Sequence, residues 1–204
     1  MGIRDDQREK RYWEILSVAL DLFIKKGYAA TKVTDIAKSV GMSTGLLFHY
    51  FRSKEALYEE LIKIGISGPT NALPTEDDEP LSYLRNTAES IFSGLKEHPF
   101  AAKMFVLMGQ VYYTGSAPQS LKDDVMALDI YTSTIDLMSR GQRQGVIRDG
   151  DPYALSIAYW SAIQGICEQM AVLPDAPCPK GEWIADMFRR QSSELMKGSE
   201  SDRS

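Results

Sequence analysis

Cysteine and histidine are scarce in this chain of 204 residues, which holds only Cys167, Cys178, His49 and His98. Two cysteines with this spacing form neither a C-x-x-C pair nor a disulfide framework, so one core thiol and one loop thiol are expected. The histidines lie far apart, and no H-E-x-x-H, G-x-S-x-G, G-x-G-x-x-G or phosphate-binding loop accompanies them. His98 precedes Pro99 at a helix boundary, a place for a cap rather than a ligand. Asp123 and Asp124 are neighbours on an expected helix, so their carboxylates do not face each other. Nothing assembles a nucleophile, a base and an orienting group. No enzyme, catalytic residue, cofactor or metal is therefore expected.

Long apolar runs are also missing. No stretch approaches the roughly 18 residues needed to cross a bilayer, so no membrane partner is expected. The N-terminal "MGIRDDQREKRYWEIL" lacks the short apolar core of a secretory signal, and Asp6 stands where myristoylation favours Ser or Thr. These features predict a cytoplasmic protein. Acid is absent from Ile36 to Lys54, a stretch that holds Lys38, Arg52 and Lys54. The net charge of −5 hides this asymmetry: residues 1–66 carry 11 Lys and Arg against 9 Asp and Glu, and the remainder 12 against 19. A small basic surface on an acidic chain is a footprint for a polyanion.

What is present reads almost everywhere at helical period, and no stretch alternates over strand length. Ile15, Ala19, Leu22 and Phe23 form one apolar stripe that Gly27 ends. Thr31 is expected to cap the next helix, with Asp35 in its first turn and Ile36, Ala37 and Val40 inward, up to Gly41. Ser43 caps a third helix, and Ser53 a fourth carrying Leu57, Leu61 and Ile64. "GISGPTNALPTEDDEP" marks a boundary between domains at 8–66 and 80–198, its "TEDDE" reading as a solvated loop. Helices are then expected over 81–97, from Pro99, over 119–144, from Pro152 behind an Asp151 cap, and over 181–197. The tail "GSESDRS" is expected to be disordered. Along the 152 helix Ala154, Ala158, Ser161 and Gly165 make a small-residue stripe beside Leu155, Tyr159, Ile163, Ile166 and Met170. The last helix carries Trp183, Ile184, Met187, Phe188, Gln191 and Leu195 on one face. The fold class is all-α.

"TKVTDIAKSVGMSTGLLFHYF" has the pattern of a helix-turn-helix, turning at Gly41-Met42-Ser43. If Leu47 and Phe51 face inward, Thr44, Gly45, Phe48 and His49 cannot all be buried. A small, polar first turn of Ser43, Thr44 and Gly45 suits close approach to a duplex.

Residues 15–64 resemble the DNA-binding region of the tetracycline-repressor (TetR-type) family of bacterial one-component regulators. The resemblance rests on Gly27-Tyr28, Thr31, Asp35-Ile36-Ala37, Gly41, Ser43, Gly45, Leu47, Tyr50-Phe51 and Ser53-Lys54-Glu55. It implies an N-terminal three-helix helix-turn-helix domain, joined through a fourth helix to a C-terminal helical bundle that binds a ligand and dimerises. It further implies that Thr34, Ser43, Thr44, Gly45, Leu46, Phe48, His49, Tyr50 and Lys54 face DNA. Thr44 and Leu46 would lie toward base edges, Thr34 toward backbone or base, His49 and Tyr50 toward phosphate or sugar, and Lys54 on a phosphate. The family usually has Tyr at the place of Phe48 and a smaller or polar residue at the place of Leu46. Both departures suit thymine methyl groups.

For the C-terminal part, the resemblance and the stripes together point to Ala154, Ala158, Ser161, Gly165, Trp183, Met187 and Phe188 at a two-fold dimer interface, though each stripe equally suits the protomer's own core. Phe105, Met108, Tyr112, Met138, Trp160 and Gln164 are the candidate lining of an effector pocket, with core packing as the other account. The expected function is a sequence-specific transcriptional regulator: a homodimeric repressor of a palindromic double-stranded operator, released by a small apolar effector. The alternatives are an architectural DNA-binding protein without a ligand, or a helical module or enzyme without DNA affinity.

Overall fold

The structure is a computed structural model that describes residues 3–70, 73–114, 118–119, 121, 123 and 130–191. Among them the chain is built from helices, with one isolated antiparallel bridge between Ile147 and Arg189. In order these are α1 (Ile3–Lys26), α2 (Val33–Val40), α3 (Thr44–Phe48), α4 (Lys54–Thr70), α5 (Pro80–Glu97), α6 (Pro99–Thr114), α7 (Tyr131–Arg143), α8 (Pro152–Val172) and α9 (Gly181–Asp186). The fold is all-α, as the periodicity predicts.

Two apolar clusters hold it together. The first buries Ile15, Leu16, Phe23, Ile36, Val40, Leu47, Phe51, Leu57 and Leu61 from α1 to α4, and is completed by Met104, Leu107 and Val111 of α6. The second joins Leu84 and Phe92 of α5, Leu137 and Met138 of α7, Tyr159 and Ile163 of α8 and Ile184 of α9. Between them runs α6, tied along α1 at three points. Phe100 meets Trp13 edge-on at 5.8 Å, Lys103 pairs with Asp21 at 2.6 Å, and Gln110 Nε2 donates to Ile24 O at 3.2 Å. On its other side Gln164 Nε2 of α8 donates to Phe105 O at 3.0 Å.

Most helix ends follow the sequence. Ser43, Ser53 and Asp151 each cap the helix behind them, accepting from Leu46, Ala56 and, for Asp151, Tyr153 and Ala154. Thr31 does not cap α2, whose N-cap is Lys32 with no side-chain bond. Its buried hydroxyl turns back instead, donating to Gly27 O at 2.8 Å with Leu22 O at 3.2 Å beside it. It thereby fastens the loop after α1 back onto the end of that helix. The 76–79 loop is not merely solvated, because Arg140 donates to the carbonyls of Glu76, Asp78 and Thr75.

The expected last helix is shorter than its apolar period suggests. After Asp186 the backbone leaves α9 and exchanges bonds with the 146–148 segment: Arg148 N–H donates to Phe188 O at 2.8 Å and Arg190 N–H to Val146 O at 2.9 Å. This pairing replaces further helical turns and swings Phe188 into the second cluster, 5.8 Å from the Tyr159 ring. Gly181 makes the docking of α9 possible. A Cβ there would collide with the backbone of α5 at Arg85 and Glu89, and its N–H donates to Glu89 Oε2 at 2.7 Å. The helix expected over 119–144 is seen as α7 from Tyr131. Residues 124–129, Leu195 and the tail lie outside the described residues.

Candidate nucleic-acid interface

Helices α2 and α3 are joined by a reversal that only a few residues make. Gly41 takes a left-handed φ of 71°, which an L side chain rarely adopts. Its N–H donates to Lys38 O, and Met42 N–H to Ala37 O, closing the end of α2. Ser43 then opens α3. Ile36, Ala37, Val40, Leu47 and Phe51 pack beneath the pair, so the orientation of α3 is fixed by burial on one side alone.

The opposite side of α3 is open. Thr34, Ser43, Gly45, Leu46, Phe48 and His49 are exposed, and Thr44 and Tyr50 half-exposed. Leu46 is 48% and Phe48 46% accessible. These two positions are about 200° apart around a helix and therefore flank the ridge on which Gly45 and His49 stand. Gly45 adds no side chain to that ridge, and a Cβ there would meet only Ser43 Oγ at 4.0 Å. Lys32, Lys38 and Arg52 are exposed nearby in the chain. The sole acid of α2, Asp35, is paired with Lys26 at 3.0 Å, and that bond holds its carboxyl below the usual range. The result is a ridge with apolar flanks and basic surroundings.

Lys54 is placed differently from the phosphate contact that the family resemblance implies. Its ammonium donates to Tyr28 O at 2.8 Å and Thr31 O at 3.0 Å, with Ala29 O at 3.5 Å, and lies 4.3 Å from the centre of the Tyr28 ring. An ammonium has three protons, and here backbone carbonyls take them up. Lys54 thus fastens the start of α4 to the loop between α1 and α2.

Sequence reasoning missed a basic cleft beside this ridge. Gln7, Arg8, Lys10, Arg11 and Glu14 of α1 form it with Tyr50, enclosing about 800 Å³. The i, i+4, i+7 spacing of Gln7, Arg11 and Glu14 was a readable signal for one face, but nothing local linked that face to Tyr50.

The candidate C-terminal residues separate into groups. Met138 and Trp160 are buried, with Trp160 Nε1 donating to Thr134 Oγ1 at 3.0 Å. Phe105 and Gln164 are half-buried along the packing of α6 on α8, Met108 is half-buried against the first cluster beside Gly65 of α4, and Tyr112 is exposed. A second cleft of about 380 Å³ lies elsewhere, along α5 from Asp78 to Ile91, and none of these six residues lines it. Ala154, Ala158, Ser161 and Gly165 form one exposed face of α8, and Trp183 and Met187 are exposed on and after α9. Phe188 is not on that surface. Cys167 is buried and Cys178 partly so, and burial pushes the Cys167 thiol up to about 12. Among the described residues no three metal-ligating side chains gather, and no helix is long and apolar enough to cross a membrane.

Residues 15–61 match the family model described as bacterial regulatory proteins, tetR family. The uncharacterized HTH-type transcriptional regulator YuxN of Bacillus subtilis is 31% identical over 53% of this chain, a match that spans only 38% of its own length. The HTH-type transcriptional regulator RutR of Escherichia coli is 29% identical over 74% of this chain and 70% of its own. Among solved structures, the TetR family transcriptional regulator PfmR of Thermus thermophilus superposes with a TM-score of 0.61 at 29% identity, covering 85% of this chain and 93% of that one. Relatives of this kind are regulators rather than enzymes. An open recognition ridge over a three-helix core, the family match on those same helices and the shared overall fold lead to one conclusion: residues 15–61 form a DNA-binding region of the tetR type, and the chain as a whole is similar to regulators of that family.

Proposed function

We propose that this protein is a homodimeric, sequence-specific repressor that leaves its operator when a small apolar effector binds its C-terminal bundle. It acts by binding and not by catalysis, in the cytoplasm. The observation that carries this reading is the outward face of α3: a ridge of Gly45 and His49 flanked by Leu46 and Phe48, held by a core on one side only. Thr44, Gly45, Leu46 and Phe48 meet base edges, the last two through thymine methyls. Thr34, Ser43, His49 and Tyr50 meet the backbone and set register. Lys54 serves the same interface indirectly, by holding the loop behind it.

The uncovered face of α8 with Trp183 and Met187 supports pairing with a second copy. Two recognition helices about 34 Å apart then match a palindromic operator. The effector acts at Phe105, Met108, Tyr112, Met138, Trp160 and Gln164, around α6 and its packing on α8. A ligand seated there shifts α6, and α6 is fastened along α1, so the spacing of the two heads changes. By linkage, operator DNA weakens effector binding by the same factor. In this reading 8–66 is the DNA-binding domain and 80–198 the effector and dimerisation domain, with α6 contributing to both cores.

The test is fluorescence anisotropy of the full chain with duplexes from the DNA flanking its own gene, beside a scrambled duplex, across a salt series. The reading expects preference for one duplex by about 10³-fold or more. It also expects weaker binding when thymines in the bound half-site are replaced by deoxyuridine, which removes only the methyl group. Equal, weak binding to every duplex would favour an architectural role, and no binding at low salt would overturn the proposal.

A further inference from the structure

Of the residues that line the cleft between α1 and Tyr50, only Tyr50 has a place among the contacts assigned above. Its chemistry is one-sided. Arg8, Lys10 and Arg11 line it against a single carboxylate, Glu14, and that carboxylate already pairs with Arg11 at 2.8 Å. Among the described residues neither Arg8 nor Lys10 is paired with an acid. Both are exposed on α1. Asp5, Asp6 and Glu9 share the first turns of that helix but do not line the cleft, so an anion that enters it meets Arg8 and Lys10 directly.

The cleft is also held in shape. The Tyr12 ring stacks on Phe51 with centres 5.2 Å apart, and its hydroxyl donates to Glu60 Oε1 at 2.6 Å. Arg11 Nη1 additionally reaches Val40 O, at the end of α2, at 3.5 Å. The first turns of α1 are therefore fixed against α2, α4 and the residue that follows Tyr50. Tyr50, in turn, is next to His49 on the recognition ridge, so an anion in the cleft lies beside whatever the ridge touches.

We infer that Arg8 and Lys10, with Arg11 and Tyr50, form a second anion site that takes backbone phosphodiesters of the duplex flanking the base pairs read by α3. The site rests on the DNA-binding reading and extends its footprint outward. It contributes affinity and salt dependence and carries no base preference.

The experiment compares the wild type with the Arg8→Ala/Lys10→Ala double variant on a duplex that carries the bound site with long flanks, and on the same duplex trimmed at both ends. Both substituted side chains are exposed, and a thermal melt checks that the variant is folded. Each phosphate contact contributes about 0.9 to the slope of log affinity against log salt. Losing two per protomer, four per bound dimer, makes the slope shallower by about 3.6, so the ratio of wild-type to variant affinity shrinks roughly 150-fold between 50 and 200 mM salt. Trimming weakens the wild type and leaves the variant unchanged. Equal slopes, or equal sensitivity to trimming, would overturn the inference while leaving the recognition ridge intact. Inorganic phosphate binding that disappears in the variant without any change in slope would reveal a free-anion site, and would overturn it too. A wild type that binds no duplex would remove the DNA-binding reading itself, an outcome distinct from all of these.

Discussion

Helices α3 and α8 both leave apolar side chains uncovered, and they differ in what surrounds those side chains. On α3, Leu46 and Phe48 stand among Lys38, His49 and Arg52, with acid excluded for nineteen positions. On α8, Ile157 and Val172 stand among alanines, a serine and a glycine, and the whole helix has one charged residue, Glu168. Apolar exposure alone does not name a partner. Basic surroundings suit a polyanion whose bases carry methyl groups, whereas a face without charge and with small side chains suits another helix of the same kind. In a two-fold arrangement such a face meets itself without like-charge conflict.

The sharpest way to break this comparison is to give α8 the charge it lacks. Ile157→Glu/Ala158→Glu places carboxylates opposite their own copies, a conflict of several kcal/mol. Sedimentation velocity is expected to show monomers, and operator affinity to fall by about 100-fold or more, with the melting temperature of the folded chain little changed. A variant that stays dimeric would move the interface elsewhere.

A smaller effect separates support from contact on the α3 side. Lys54→Ala frees the carbonyls of Tyr28 and Thr31 and is expected to lower stability by about 1–2 kcal/mol in urea denaturation. The salt slope of duplex binding should not change. A shallower slope with unaltered stability would return Lys54 to a phosphate. The smallest effect concerns Asp35, whose carboxyl is held below the usual range by its bond to Lys26. A folded-state value below the unfolded one stabilises above the unfolded value, and this is lost as pH falls through the folded one. Wild type should therefore lose its slight advantage over Asp35→Asn as thermal melts move from neutral pH toward about pH 3.

The helix-turn-helix was legible because local signals agreed: caps at Ser43 and Ser53, a reversal at Gly41, and an inward Leu47 and Phe51. Where the signals pointed two ways, reading failed. Thr31 had the residue type of an N-cap and the position of one, yet the carbonyls of the preceding helix claimed its hydroxyl. Phe188 kept the helical period of Trp183 and Ile184, but period says nothing about the backbone pairing with 146–148 that ends α9. The basic cleft was invisible because it joins Arg8 and Lys10 to Tyr50 across some forty residues. Lys54 shows a further limit. Its place in the motif was clear, and its three carbonyl partners depend on a loop geometry that sequence does not spell out.

The position of α6 bears on how such a protein can be taken apart. Met104, Leu107 and Val111 close the core beneath α1 and α4, so the N-terminal helices are finished by a helix from beyond the linker. A fragment cut after residue 70 loses that wall and opens its core to water. Unfolding should therefore cross the linker as one cooperative event instead of releasing an intact head. Grafting residues 3–70 onto a foreign body would transplant the recognition ridge without the surface that keeps it shut, and any working chimera must bring α6 along.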